Sequence, residues 1–408
     1  MDFSFTGEQD KLRREVRDFF NNELPSDFRP ATDNRGVYDE KQMQFMTELQ
    51  KKAGKKGYLA PGWGTEIGGL CLSDIEQGIV LEETGFRGIR WPAETALRVC
   101  GPALLVFGTE EQKQMYLPAI AAGEVVWYEA ITEKDAGSDK ANINLKASAD
   151  GDNFILNGQK VFISAPAPAD FLFTLARTSD TEPKQDGLTL FLLDAHAPGI
   201  SYAAAPTLGD FTVKIFFENV KVPKSAVLGQ LNRGFYHMAV AAEFERTGTD
   251  IPAAQKRELE ELVQFAKDEK HNGTQLIDNP EFRDMLAERA IAAELATLSA
   301  WRDVWFFNQR KRLGAPPPST GELQRKTGAA RSAKQIIDAF GLYGQLAESD
   351  SHAKFGGKAQ QEWLASRSMH AGGTIEVNKG NLAEKGLGLP VIPPKFNKDI
   401  AKSLKEKE

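Results

Sequence analysis

Residues 151–164 read GDNFILNGQKVFIS. Two apolar triplets, FIL at 154–156 and VFI at 161–163, flank Asn157-Gly158, a dipeptide that readily supplies the positive φ angles of a two-residue hairpin turn. An antiparallel pair folded at that point is expected. Further β-type runs at Phe171–Ala176, Leu188–Leu193 and Thr212–Val222 extend the pattern, and several short strands at this spacing read as a small sandwich or barrel over residues 123–230. Outside those limits the period is helical. Thr6 with Gln9 makes a capping box ahead of an apolar stripe at Leu12, Val16, Phe19 and Phe20, and Ser73 with Glu76 and Thr109 with Gln112 announce two more helices. Pro118 and Gly123 are expected to break this pattern. After Pro223, helical segments are predicted near 231–248, 254–271, 280–312, 320–341 and 350–369, separated by Gly and Pro signals that include Pro316-Pro317-Pro318. The expected fold is a multidomain α+β chain: a helical domain at 1–122, a β domain at 123–230 and a four-helix bundle at 231–408, an architecture that often assembles further.

Composition narrows the function. The chain has 408 residues, 41% hydrophobic and 26% charged, with Lys+Arg 50 against Asp+Glu 57 and a formal net charge of -7. An acidic balance argues against a nucleic-acid partner, since phosphate binding needs a basic face; the runs Lys51-Lys52 and Lys55-Lys56 read as solvated helix edges. Cys71 and Cys100 are the only cysteines, so neither a disulfide framework nor a Cys/His metal cluster is available, and no metal is expected. The opening MDFSFTGEQDKLRREV has no basic segment followed by an apolar one, and no apolar run reaches the roughly 18 residues a bilayer crossing needs. A cytoplasmic location without membrane insertion is expected.

The stretch 128–139, YEAITEKDAGSD, runs from an extended segment into a turn rich in Gly, Ser and Asp, which offers N–H groups and hydroxyls to a polar ligand. Taken alone, most such turns are only turns. Together with FISA at 162–165, with FTGEQDKLRREVRDFF at 5–20, FGTEEQKQMYLPAIAAGE at 107–124, FENVKVP at 217–223, GGTIEV at 372–377 and LGLP at 387–390, it resembles the acyl-CoA dehydrogenase family over nearly the whole chain. The resemblance implies the same helical, β and bundle order, FAD as cofactor, an acyl-CoA thioester substrate and removal of hydrogen across Cα and Cβ to give a 2,3-enoyl-CoA. It also implies an electron-transferring flavoprotein as acceptor and a homotetramer or a heterotetramer with a related subunit.

That chemistry requires a base for the α proton, and a carboxylate shielded from water suits the task. Most family members carry this glutamate just before a Gly-Thr, where this chain has Gly372 in HAGGT, 370–374. A minority acting on branched or bulky acyl groups supplies it from an earlier helix, immediately before an arginine. The matching stretch, MAVAAEFERT at 238–247, makes Glu245 the expected base, with Arg246 near the CoA part. Glu243 stands about 200° around a helix from it and cannot face the same way. The plainer reading of Glu245, one of 57 acidic residues on a solvated helix face, leaves the site without a base.

Other roles follow by resemblance. Ile131, Thr132 and Glu133 would run their backbone beside the isoalloxazine, with Phe162 and Ser164 covering its other side. Ser138 would meet the cofactor phosphates or the pantetheine arm, and Gly373 would lend its N–H to the thioester carbonyl. Thr374 would sit by the FAD pyrophosphate and Glu376 near the cofactor's phosphates. Two departures stand out. Early in the bundle, FAKDEKHNG at 265–273 has Glu269 where the family offers a neighbouring subunit's FAD an arginine, and Asn272 before Gly273. Asp338 likewise replaces a common glutamine, although Phe340-Gly341-Leu342-Tyr343-Gly344 keeps the turn. A carboxylate there repels a pyrophosphate. The pattern resembles one member of the heteromeric, steroid-type acyl-CoA dehydrogenases. Alternatives are a non-catalytic or half-site subunit and a flavin monooxygenase or oxidase on the same fold.

Overall fold

The computed structural model describes residues 4–28, 39–207, 211–245, 248–271, 273–309, 317–367 and 372–390. The chain opens with α1 (Gly7–Glu23), α2 (Glu40–Lys55), α3 (Asp74–Phe86), α4 (Gly101–Phe107) and α5 (Glu110–Ala121), and a single π-helical turn at Ala96–Cys100 leads into α4. The expected capping boxes at Thr6–Gln9, Ser73–Glu76 and Thr109–Gln112 all form, and Asp39 with Gln42 makes another ahead of α2. Along α1, Val16 and Phe20 are fully buried, with Leu12 and Phe19 packed at the edge of the same cluster. Each fully buried side chain of this size contributes roughly 1.5–3 kcal/mol. Pro118 does not break α5, contrary to expectation: the helix runs through it to Ala121 and ends at Gly123, whose φ is +69°. Proline removes only a donor, and both Pro118 and Gln114, whose carbonyl loses that partner, lie on the exposed side where water substitutes.

Eight strands follow: β1 (Trp127–Ala130), β2 (Lys146–Asp150), β3 (Asn153–Ser164), β4 (Phe171–Arg177), β5 (Leu188–Asp194), β6 (Ile200–Ala204), β7 (Thr212–Pro223) and β8 (Val227–Leu228). Their order is β6-β7-β3-β2-β4-β5-β8, with β1 parallel to β4. The hairpin expected at Asn157-Gly158 is not there. β3 continues through it, and the pair sits at a register shift against β7, where the Asn157 and Asn219 side chains meet across the strands. The turn lies earlier, at Gly151-Asp152, closing β2 onto β3 between Asp150 and Asn153. An Asn-Gly pair signals unusual backbone angles, and a bulge uses them as well as a turn does. The sheet curls upon itself: Phe154 of β3 and Phe191 of β5 are three strands apart in order, yet their rings lie 5.3 Å apart across the core. Strands spaced about 4.8 Å apart do not allow that in a flat sheet.

The remaining helices are α6 (Gly234–Glu245), α7 (Asp250–Asp268), α8 (Pro280–Asn308), α9 (Pro317–Phe340), α10 (Lys358–Arg367) and α11 (Ile375–Asn381). Leu262 of α7, Leu286 of α8, Ile336 of α9 and Ala359 of α10 share one buried cluster, the core of a four-helix bundle. The helix expected over 231–248 is described from Gly234 to Glu245, and that expected from 254 starts at Asp250. The helix expected from 350 starts only at Lys358, because Phe355, Gly356 and Gly357 all have positive φ. Among the described residues no helix is long and apolar enough to cross a membrane.

Candidate active site

The β-sheet wall of the site is braced from within. Glu133 follows β1, and its carboxylate accepts from the backbone N–H groups of Asn144 (2.7 Å) and Leu145 (2.8 Å) and from Lys160 Nζ (2.8 Å). Lys160, on β3, is fully buried and donates also to the Ile131 carbonyl at 2.9 Å. Burial pushes its ammonium down to about 8, against the pull of Glu133. The Glu133 backbone is itself paired in both directions with Ala136, so neither its peptide groups nor its carboxylate is free for a ligand. Ile131 is buried, and Thr132 gives its carbonyl to Val161 N–H at 2.9 Å. Among the described residues nothing accepts from the Thr132 N–H, which leaves that group for a ligand.

Two residues beyond Lys160, Phe162 sits in the left-handed region with φ +57° and is 55% exposed. A bulky side chain in that region costs about 1–3 kcal/mol, and exposing an aromatic ring forgoes its burial; both features mark a surface shaped for a flat partner. Ser164 lies at the end of β3, on the wall of a cavity of about 2250 Å³ between the sheet, the N-terminal helices and the bundle. Pockets for one small ligand are commonly 300–1,000 Å³, so this cavity has room for a dinucleotide and a second large ligand. The free Thr132 N–H, the exposed Phe162 ring and Ser164 beside the cavity fit a flavin. Ser138 is exposed on the 133–139 turn, away from the cavity wall.

Across the cavity, Gly372 and Gly373 have φ of +67° and +91°, a conformation that suits only glycine in succession. Thr374 caps α11, accepting from Val377 N–H at 3.1 Å, and Glu376 is exposed in the first turn. Two features here were not legible in the sequence. Lys326 of α9, fully buried, donates to the Gly373 carbonyl, which also accepts from Asn378 Nδ2 at 3.0 Å. Glu322, one turn earlier and also buried, projects into the space before Gly372: a Cβ at position 372 would lie 3.6 Å from its Oε2. Both Glu322 oxygens are engaged by the Arg325 guanidinium, at 3.0 and 2.7 Å. An i, i+4 Glu-Lys pair on a helix ordinarily reads as a surface ion pair, which hides its buried use.

Glu245 is the last residue of α6, and Arg246 lies outside the described residues. The departures expected on the bundle are present as paired charges. Glu269 and Asp338 both line the cavity, Glu269 held by Lys354 and Asp338 by Lys334. Asn272 lies outside the described residues, and Gly273 occupies a turn at φ +84°.

Comparisons with known proteins agree with this geometry. The chain matches the acyl-CoA dehydrogenase N-terminal domain over residues 6–124, the middle domain over 129–220 and the C-terminal domain over 232–387. It is 30% identical over 402 residues to the acyl-CoA dehydrogenase FadE26 of Mycobacterium tuberculosis, covering 96% of this chain and 99% of that one. Among solved structures, a chain of the Tcur3481-Tcur3483 steroid ACAD superposes with a TM-score of 0.85 at 29% identity, covering 96% of this chain and 100% of that one. A chain of the ChsE4-ChsE5 complex from Mycobacterium tuberculosis does so with a TM-score of 0.83 at 28% identity, with the same coverage. The chain belongs to the acyl-CoA dehydrogenase family of FAD-dependent oxidoreductases.

Proposed function

We propose that the protein oxidises a bulky, branched, cyclic or steroid-derived acyl-CoA to its 2,3-enoyl-CoA, with Glu245 as the base. The observation that carries this is a pair of facts: position 372 is a glycine without a side chain, and Glu245 stands at the C-terminal end of the described part of α6. A carboxylate must come from elsewhere than position 372. Glu322 faces the same space, but its oxygens are committed to Arg325. Glu245 takes the α proton while the Gly373 N–H holds the thioester oxygen, on which the charge builds. Lys326 keeps Gly373 in place by its carbonyl. Thr132, Phe162, Ser164, Thr374 and Glu376 hold the cofactor, Ser138 and Arg246 approach the CoA arm, and Ile131 and Glu133 brace the wall behind. Bound FAD would supply the acceptor for the β hydride, with an electron-transferring flavoprotein as the partner that would take up the electrons. The working units are 1–122, 123–230 and 231–408. Glu245→Gln is expected to keep its flavin absorbance but lose bleaching by substrate; retained bleaching, with Glu322→Gln inert, moves the base to α9.

A second reading concerns assembly. The Glu269–Lys354 and Asp338–Lys334 pairs occupy the bundle face that would complete a neighbour's flavin site, which favours a heterotetramer with a related subunit. Of the structural relatives named above, one is the ChsE4-ChsE5 complex and the other the Tcur3481-Tcur3483 steroid ACAD, each named for two components. A chain purified alone should then carry less flavin than the same chain co-expressed with its partner; full flavin occupancy alone excludes obligate pairing.

A further inference from the structure

Residues 248–250, at the start of α7, are fastened to the N-terminal helices at three points. Thr249 is buried, and its hydroxyl donates to the Gly78 carbonyl in α3 at 2.5 Å. Asp250 Oδ1 accepts from Arg98 Nη2 at 2.6 Å, both side chains being 17% exposed. The backbone of Asp250 runs so close to Gly85 of α3 that a Cβ there would meet its carbonyl oxygen at 2.1 Å. Gly248 lies flat against the ion pair, since a Cβ at that position would come within 2.6 Å of Asp250 Oδ1 and 2.9 Å of Arg98 Nη2. These contacts join residues 152 and 171 positions apart in sequence.

Arg98 is itself unusually placed. It sits in the π-helical turn Ala96–Cys100, whose Ala96 and Cys100 are fully buried, and it lines the cavity beside Thr95 and Val99. A π turn inside a helix displaces one side chain from the regular helical path and is commonly retained where that displacement is used. Here it delivers a guanidinium to a carboxylate across a domain junction. Glu94 lies 3.5 Å from Arg98 Nε, on the stem side of the guanidinium fork.

We infer that Arg98 is a positioning residue for catalysis, clamping through Asp250 the α6–α7 junction that carries Glu245 three residues from Gly248. The inference rests on the reading of Glu245 as the base. A base must be held to within fractions of an ångström of the proton it takes, and a displacement of about 1 Å costs up to roughly a hundredfold in rate. The clamp acts on Gly248–Asp250, the described residues that follow α6 in the chain. When a substrate fills the cavity and expels water, the Arg98–Asp250 attraction strengthens, so the junction is held hardest when the reaction occurs.

The test compares the holoprotein with its Arg98→Met, Arg98→Lys and Thr249→Val variants. Hydrogen exchange of the Gly248–Ala253 amides is expected to quicken about tenfold in Arg98→Met while strands β4 and β5 keep parental protection, with Arg98→Lys intermediate. With cyclohexanecarbonyl-CoA as probe, anaerobic flavin reduction in Arg98→Met should fall roughly ten- to a hundredfold in kcat with KM nearly unchanged, and Arg98→Lys should recover part of it. Thr249→Val, which removes the second fastening, should show the same sense in both measurements if Arg98→Met does not fold. Parental exchange at 248–253, or a change confined to KM, overturns the inference. Reduction of Glu245→Gln at the parental rate overturns instead the assignment of the base, and the exchange measurement still decides the clamp.

Discussion

Two carboxylate–lysine pairs, Glu133–Lys160 in the sheet and Glu269–Lys354 on the bundle, are alike in composition and differ in consequence. The first is closed: the Lys160 side chain is 0% and the Glu133 side chain 10% exposed, and backbone donors from Asn144 and Leu145 complete the carboxylate. The second is open, with side chains 38% and 29% exposed on the cavity rim. A buried pair holds its neighbours in one arrangement, and its loss strands a charge. An exposed pair is solvated on both sides and is worth little. The sheet side of the site is therefore built for a fixed ligand surface, while the bundle face only neutralises itself. That contrast is what a chain able to hold a flavin, but unsuited to complete a neighbour's, should look like.

The largest way to break the contrast is Lys160→Met. Removing one partner leaves Glu133 buried without its countercharge, and a loss of about 3–5 kcal/mol in unfolding free energy is expected, together with loss of bound flavin as the Ile131–Glu133 segment slackens. Urea unfolding and flavin absorbance read the two effects. Acidity sharpens it. Lys160 is lowered to about 8 in the folded protein from an ordinary value of 10.5. Between those values the unfolded chain binds a proton that the folded one has released, so stability from this group rises with pH. The gap between parent and Lys160→Met should widen on going from pH 7.5 to 10; a gap that narrows contradicts the assigned direction.

The next effect is on the opposite wall. Lys326→Met removes the buried donor to the Gly373 carbonyl, and leaving that acceptor with Asn378 alone should cost about 1–3 kcal/mol. Flavin reduction should slow while the flavin spectrum stays, since the tether concerns the thioester side.

How far all this was legible in sequence depended on the kind of signal. Capping boxes are local, and Thr6–Gln9, Ser73–Glu76 and Thr109–Gln112 formed as written. The family motifs located Phe162, Ser164 and Gly372–Thr374 because they are contiguous. Lys160 keeps the inward phase of Phe154 and Leu156, but its use was invisible because its partner Glu133 lies 27 residues away and only packing brings the two together. Lys326 and Arg98 were invisible because their partners lie 47 and 152 residues away and only packing brings them together, and Glu322 because its pair with Arg325 three residues on reads as an ordinary helix-surface pair. The hairpin failed for the opposite reason: a real local signal for positive φ was spent on a bulge, and Gly151-Asp152 supplied the turn.

The smallest expected effect tests the bundle face. Glu269→Ala deletes a carboxylate whose pair with Lys354 is partly exposed to water, and stability should change by about 1 kcal/mol or less. The Lys354 ammonium that it releases already lies within cation–π range of Tyr343, 5.8 Å from the ring centroid, so it need not collapse elsewhere. With the negative charge gone and the positive one kept, this part of the cavity goes from neutral to positive. If the carboxylates alone make this face unfit for a flavin's phosphates, Glu269→Ala combined with Asp338→Gln should raise flavin bound per chain in the protein purified alone, at nearly constant stability. If flavin per chain is unchanged, the backbone turn at Phe355–Gly357 rather than the charges separates this face from a working one, and a partner chain must supply the surface whole.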